Sequence, residues 1–152
     1  MTQISSAQHG NVTEQMKQVA KEEPITIQQL QKRVAAGKIV IPWNPNHQPK
    51  PVGLGKGLKV KVNANIGTSR EYCKPEEEIE KAKASLDVKT DAIMDLSTGG
   101  NLNEIRKKLL KISTVPFGTV PIYQTAIEAA EKHGAIIDMT SDEMFNTFEK
   151  QA

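Results

Sequence analysis

The sequence predicts an α/β chain, an N-terminal helical segment followed by a run of parallel βα units. Three observations predict it. Short apolar segments, VNANIG (62–67), AIMDLSTGG (92–100) and VPFGTVPIYQ (115–124), each run into loop-forming Asn, Ser, Thr or Gly. The connectors between them, PEEEIEKAKASL and NLNEIRKKLLKIS, carry helical periodicity, so the pattern reads β-α-β-α-β. Asn65, Met94 and Tyr123 recur 29 positions apart, close to the roughly 30 residues of one βαβ unit. They are therefore expected at equivalent points of consecutive units, where a strand meets its loop. In parallel α/β folds that edge of the sheet binds ligands. Asn65, Met94 and Tyr123 are the candidate site.

Taken in order, residues 1–10 are polar and are expected to fray. Residues 11–20 predict a short helix with Val12, Met16, Val19 and Ala20 on one face, capped by Asn11 or Thr13 and ended by Pro24. A second helix is expected over 27–36, with Ile27, Leu30 and Val34 on one side and Gly37 as its stop. Residues 38–42 read as a short strand broken by Pro42. Pro45, Pro49, Pro51, Gly53, Gly55 and Gly57 forbid regular structure over 43–57. Within that loop, GLGKGL has two readings, a phosphate cradle with Lys56 or a tight turn into the next strand. It matches neither GxxxxGK[ST] nor a GxGxxG that opens a helix.

The regular part begins with a strand over 58–66. The first crossover helix, 76–86, has Pro75 at its start and Ile79, Ala82 and Leu86 as its buried stripe. Glu76, Glu77 and Glu78 read as a solvated first turn that complements the helix dipole. The second helix buries Leu102, Ile105, Leu109 and Ile112. A third follows Tyr123 and stops at His133-Gly134. The last is capped by Thr140 or Ser141, with Met144, Phe145 and Phe148 as its apolar face. The expected division is 1–57, a helical segment with a Pro/Gly-rich loop, and 58–152, the βα part. A closed (β/α)8 barrel takes at least roughly 200–250 residues. This chain offers three or four units, so it is either a small α/β sheet or part of something larger.

Composition excludes several classes. A net charge of +2 from 20 basic and 18 acidic residues, with only Lys107, Lys108 and Lys111 clustered, gives no nucleic-acid footprint. One cysteine, Cys73, allows no internal disulfide and fits a reducing cytoplasm. No run approaches the roughly 18 apolar residues of a membrane span. A soluble cytoplasmic protein without a membrane partner is expected.

The residues that can carry chemistry sit at the strand ends. Asn63 and Asn65 share a strand face, and their amides need partners from a ligand or from neighbouring backbone. Asp95 reads as a general base or, preferentially, as a strand-end carboxylate that orients backbone. Met94 alone would be core packing. Tyr123, two residues after Pro121, is expected near a loop, able to stack on a base-like ring. His9, His47 and His133 lack second ligands at metal spacing, and Cys73 alone cannot hold an iron–sulfur cluster. No metal site and no catalytic residue are assigned.

VNANIGTS, DAIMDLSTGG, VPFGTVPIYQ and KPVGLGKGLKVKVNANIG together resemble the phosphomethylpyrimidine synthase (ThiC) family of thiamine biosynthesis. The resemblance runs from about Val12 to the C-terminus. It implies a radical S-adenosylmethionine lyase that converts aminoimidazole ribotide to hydroxymethylpyrimidine phosphate. It implies a [4Fe–4S] cluster, S-adenosylmethionine and zinc as cofactors, and a homodimer built on a central (β/α)8 barrel. Family substrate-contacting positions match Asn65, Met94 and Tyr123. The fold expectation becomes a helical segment followed by the first three to four βα units of an incomplete (β/α)8 barrel. The family's cluster cysteines and metal-binding histidines have no counterparts in this chain. Lys89-Thr90 and Thr125 depart from the family pattern away from the three site positions. Catalysis by this chain alone is not expected. The alternative is a non-catalytic fragment that binds ribotide or phosphate, or that pairs with other subunits.

Overall fold

Three threonines start the first three helices. Thr2, Thr13 and Thr26 each accept a backbone N–H from three residues ahead, opening α1 (Gln3–Gln8), α2 (Glu14–Glu22) and α3 (Ile27–Ala35). At α3 Gln29 returns a bond to the cap, completing a capping box. Met16 and Val19 of α2 and Leu30 and Val34 of α3 are buried with Ala7, Ile39 and Ile41 in one apolar cluster. α1 corrects the expectation of a frayed start. Ser6 and Ala7 are buried and α1 packs on α3, because an alanine-sized contact suffices to seat a polar helix.

The computed structural model describes residues 1–152 and comprises two units. The first is Met1–Val62 with Thr114–Pro116; the second is Asn63–Ser113 with Phe117–Ala152. In the first unit β1 (Ile39–Val40) pairs antiparallel with β2 (Leu54–Gly55). The Pro/Gly stretch therefore holds a strand that sequence reading excluded. Gly55 makes it possible, since a Cβ there would lie 2.3 Å from the Lys38 carbonyl oxygen. The strand expected over 58–66 shrinks to β3 (Asn63–Ile66). Residues 58–62 follow α2 instead. Glu23 accepts the Lys59 N–H at 2.8 Å and pairs with Lys61 at 2.7 Å, both side chains being largely shielded.

In the second unit β3, β4 (Ala92–Asp95) and β5 (Phe117–Thr119) form a parallel sheet in the order β3-β4-β5. The crossovers are α4 (Pro75–Asp87) and α5 (Leu102–Ile112); α6 (Pro121–His133) follows β5. The sheet is open. Ile66, Ile93 and Asp95 lie buried on one face, and Asn63 and Asn65 are exposed on the other. A short 3-10 turn (Ile136–Asp138) leads to α7 (Ser141–Gln151), capped by Thr140. Met144 is half-buried, while Phe145 (69% exposed) and Phe148 (52%) leave much of the expected apolar face uncovered. No helix is long and apolar enough to cross a membrane.

A carboxylate clamp seats the start of α7. Glu143 accepts from Lys132 Nζ at 2.7 Å and from His133 Nε2 at 2.9 Å, and it also takes the Thr140 N–H. These bonds, Lys132 foremost, hold its carboxyl far below the ordinary 4.5. A depressed carboxyl contributes stability above its unfolded value and loses it as pH falls toward the folded one. Hydrogen exchange of the α7 amides is expected to show full protection above about pH 5. Protection should then decline progressively below the ordinary carboxylate range. A flat profile down to strong acid would contradict the clamp.

Candidate functional site at the parallel strand ends

Register places Asn65 beside Met94, and Met94 beside Gly118. Side chains in register on parallel strands share a face, so Asn63, Asn65, Met94 and Gly118 line the side of the sheet opposite the buried Ile93. Gly118 leaves room for the thioether, as a Cβ there would stand 2.9 Å from Met94 Sδ. The Asn63 amide donates to Asn65 Oδ1 at 2.8 Å. The pair is exposed, not buried as a strand end would suggest, and it keeps donors and an acceptor available to a ligand.

Tyr123 departs from the expected equivalence. It lies in the first turn of α6, its N–H bonded to the Val120 carbonyl at 3.0 Å, and the residue in register with Met94 is Gly118. The reason is Pro121, which occupies the first helical position and starts α6 immediately after β5. Tyr123 is 43% exposed, so its ring is accessible at the N-terminal turn of that helix.

Behind the open face runs a buried polar layer. Asp95 accepts the N–H of Ser97 at 3.0 Å and its hydroxyl, and Ser97 Oγ accepts the Thr68 N–H at 3.1 Å. Thr68 Oγ1 donates to the Gly99 carbonyl at 2.6 Å. Asp95 is thus the backbone-orienting carboxylate of the two readings offered for it. Glu78, read as a solvated residue, is 2% exposed, and its Oε2 accepts the Gly67 N–H at 2.7 Å. The fourth residue of a helix can fold its side chain back over the first turn, and Gly67 supplies the donor.

A second network lies beneath α6. Arg106 donates to Gln124 Oε1 and, at 3.2 Å, to Asn103 Oδ1, while Gln124 donates to Asn103 and Glu128. Burial pulls the Arg106 guanidinium below its ordinary value, opposed by the carboxylates of Asp95 and Glu128. Arg106 escaped the sequence reading although its spacing gave a signal. It falls at i+4 from Leu102 and i−3 from Leu109, on the buried stripe of α5.

The GLGKGL loop is occupied by its own fold. The Lys56 N–H bonds the Lys38 carbonyl at 3.0 Å, and Arg33 donates to the Lys56 carbonyl at 2.7 Å. Gly57, with φ at 80°, turns the chain after β2, Gly55 is required by its close approach to Lys38, and no strand begins at Leu58. Cys73 is exposed, and no three His, Cys, Asp or Glu side chains are grouped to hold a metal ion.

The Radical SAM ThiC family model matches residues 2–152. Phosphomethylpyrimidine synthase of Moorella thermoacetica is 50% identical over 153 residues, covering 100% of this chain and 35% of that protein. The proteins of that name from Methanocaldococcus jannaschii and Methanococcus maripaludis are 51% and 49% identical, each with 100% of this chain and 36% of theirs aligned. The chain therefore spans about a third of the length of these curated relatives. With the family match running over nearly every residue, the chain belongs to the radical SAM ThiC family.

Proposed function

We propose that this chain is the N-terminal portion of a phosphomethylpyrimidine synthase acting in thiamine biosynthesis, and that its strand ends form one wall of the aminoimidazole ribotide site. The observation that carries the reading is the exposed Asn63–Asn65 amide pair beside Met94 on the helix-free face. Asn65 supplies amide hydrogen bonds to the heterocycle or phosphate, Met94 a polarisable apolar surface, and Tyr123 an aromatic ring at the N-terminal turn of α6. Three parallel strands with their crossover helices read as the first βα units of a (β/α)8 barrel whose interior is that open face.

The family name points to S-adenosylmethionine, and the resemblance adds an iron–sulfur cluster and zinc. The residues present do not fit the two metal groups. A cluster needs several thiolates, and the chain has one cysteine; zinc needs grouped donors, and none are grouped. Radical chemistry by this chain alone is therefore not proposed.

Calorimetric titration of the chain with aminoimidazole ribotide tests the reading. Saturable binding is expected, weakened at least about tenfold by Asn65→Ala, which removes two or more hydrogen bonds of about 1 kcal/mol each. No saturable binding, or binding indifferent to Asn65, would remove the ribotide wall. A second reading, pairing with further subunits in a homodimer, is favoured by the exposed Ile137, Phe145 and Phe148. Light scattering that finds only monomer would count against it.

A further inference from the structure

β3 has a weak hold on its own end. It is four residues long and is an edge strand, bonded to β4 alone. Asn65 lies two residues before Gly67, where the strand turns away with φ at 150°. Whatever fixes Gly67 therefore fixes the direction in which the strand leaves the Asn63–Asn65 pair.

Two interactions fix it. On one side the Gly67 backbone lies against the chain just past β4, so close that a Cβ would stand 2.7 Å from Leu96 C and Ser97 N. On the other side Glu78 reaches back from α4 and accepts the Gly67 N–H at 2.7 Å. The second carboxylate oxygen is held by Lys81 Nζ at 2.6 Å, which fixes the rotamer. A carboxylate buried to this degree is costly unless its bonds are specific. A helix packed on a strand through apolar contacts alone would not require it.

We propose that Glu78 is a positioning residue for the ligand face. Its carboxylate clasps the Gly67 amide, pins the free side of the β3 terminus, and so sets the placement of the Asn65 side chain. The clasp acts through backbone and does not touch the ligand. The ligand arm of the test rests on the ribotide reading above; the spectroscopic arm does not.

The experiment compares the 152-residue chain with its Glu78→Ala and Glu78→Gln variants by nitrogen-15 NMR. Glutamine keeps an acceptor oxygen for the Gly67 N–H, and alanine keeps none. In Glu78→Ala the Gly67 amide is expected to exchange at least about tenfold faster, a hydrogen bond to a charged group being lost. The Asn65 side-chain amide resonances should shift, and both should return toward wild-type values in Glu78→Gln. If alanine prevents folding, Glu78→Asp, one methylene shorter, carries the same comparison against glutamine. Ribotide titration of these variants should follow the same order, with about tenfold weaker binding where the clasp is lost. Deprotection of Gly67 with unmoved Asn65 resonances would overturn the inference, whether or not the ribotide binds. A wild-type chain that ignores the ribotide, but whose Asn65 resonances move with Glu78→Ala and recover with Glu78→Gln, would sink the ribotide reading and leave the clasp standing.

Discussion

Replacing Gly67 by alanine is expected to destabilise the second unit by about 3 kcal/mol. Two independent effects combine there. A φ of 150° is a backbone conformation that side-chain-bearing residues rarely adopt, and holding alanine in such a region costs about 1–3 kcal/mol. The new Cβ would also meet backbone atoms, Leu96 C and Ser97 N at 2.7 Å. Backbone cannot rotate aside as a flexible side chain does, so relief requires parting β3 from β4. That parting strains the bond from the Leu96 N–H to the Ile66 carbonyl, now 2.8 Å, and the one from Thr98 N–H to the Thr68 carbonyl. Urea unfolding monitored with amide exchange at Ile66, Leu96 and Thr98 measures the effect. A loss below about 1 kcal/mol would show that the loop yields, and that Gly67 is not required by packing.

Truncating Ile93 to alanine is expected to cost about 4 kcal/mol, within the usual 2–5 kcal/mol for a buried isoleucine. Ile93 is completely buried on the central strand, in register with Ala64 on β3 and Phe117 on β5. Three strands and their crossover helices frame the position, so collapse around the missing methyl groups is limited, and a residual cavity adds to the lost burial. Met94, the next residue, supplies an internal control. It lies half-buried on the opposite, open face, and Met94→Ala should cost about 1 kcal/mol or less. Denaturant midpoints of the two variants decide the matter. Equal losses would mean that the two faces of the sheet are buried alike, contrary to the arrangement on which the proposed ligand wall depends.

Several features were legible in the residues themselves because they depend on local rules. Thr13 and Thr140 cap helices in the structure as their side chains and positions allow, since a cap needs only a short acceptor and the next three residues. The stripes of α2, α3 and α5 bury Met16, Val19, Leu30, Val34, Leu102, Ile105 and Leu109, as helical spacing requires. The alternation of short strands and helices predicted a parallel sheet, and the 29-residue spacing correctly brought Asn65 and Met94 side by side. Family membership was legible for the same reason, since the long strand-end motifs are contiguous in sequence.

Tertiary structure decided the rest, and the reason each time is a partner distant in the chain. Residues 58–62 have strand-like composition, but Glu23 draws Lys59 and Lys61 to the end of α2. Residues 3–8 are polar, yet burial of Ala7 against α3 makes them a seated helix. Spacing placed Tyr123 at a strand end, whereas the helix starting at Pro121 carries it away from the residue paired with Met94. Three consecutive glutamates look alike in sequence. Only the docking of α4 on β3 singles out Glu78, because one of the three faces a glycine amide across the turn while Glu76 and Glu77 pair with the exposed Lys108 and Lys74. Periodicity and capping are properties of a stretch of chain and can be read from it. Which polar group is buried, and which amide it satisfies, depends on the three-dimensional meeting of elements that no local pattern records.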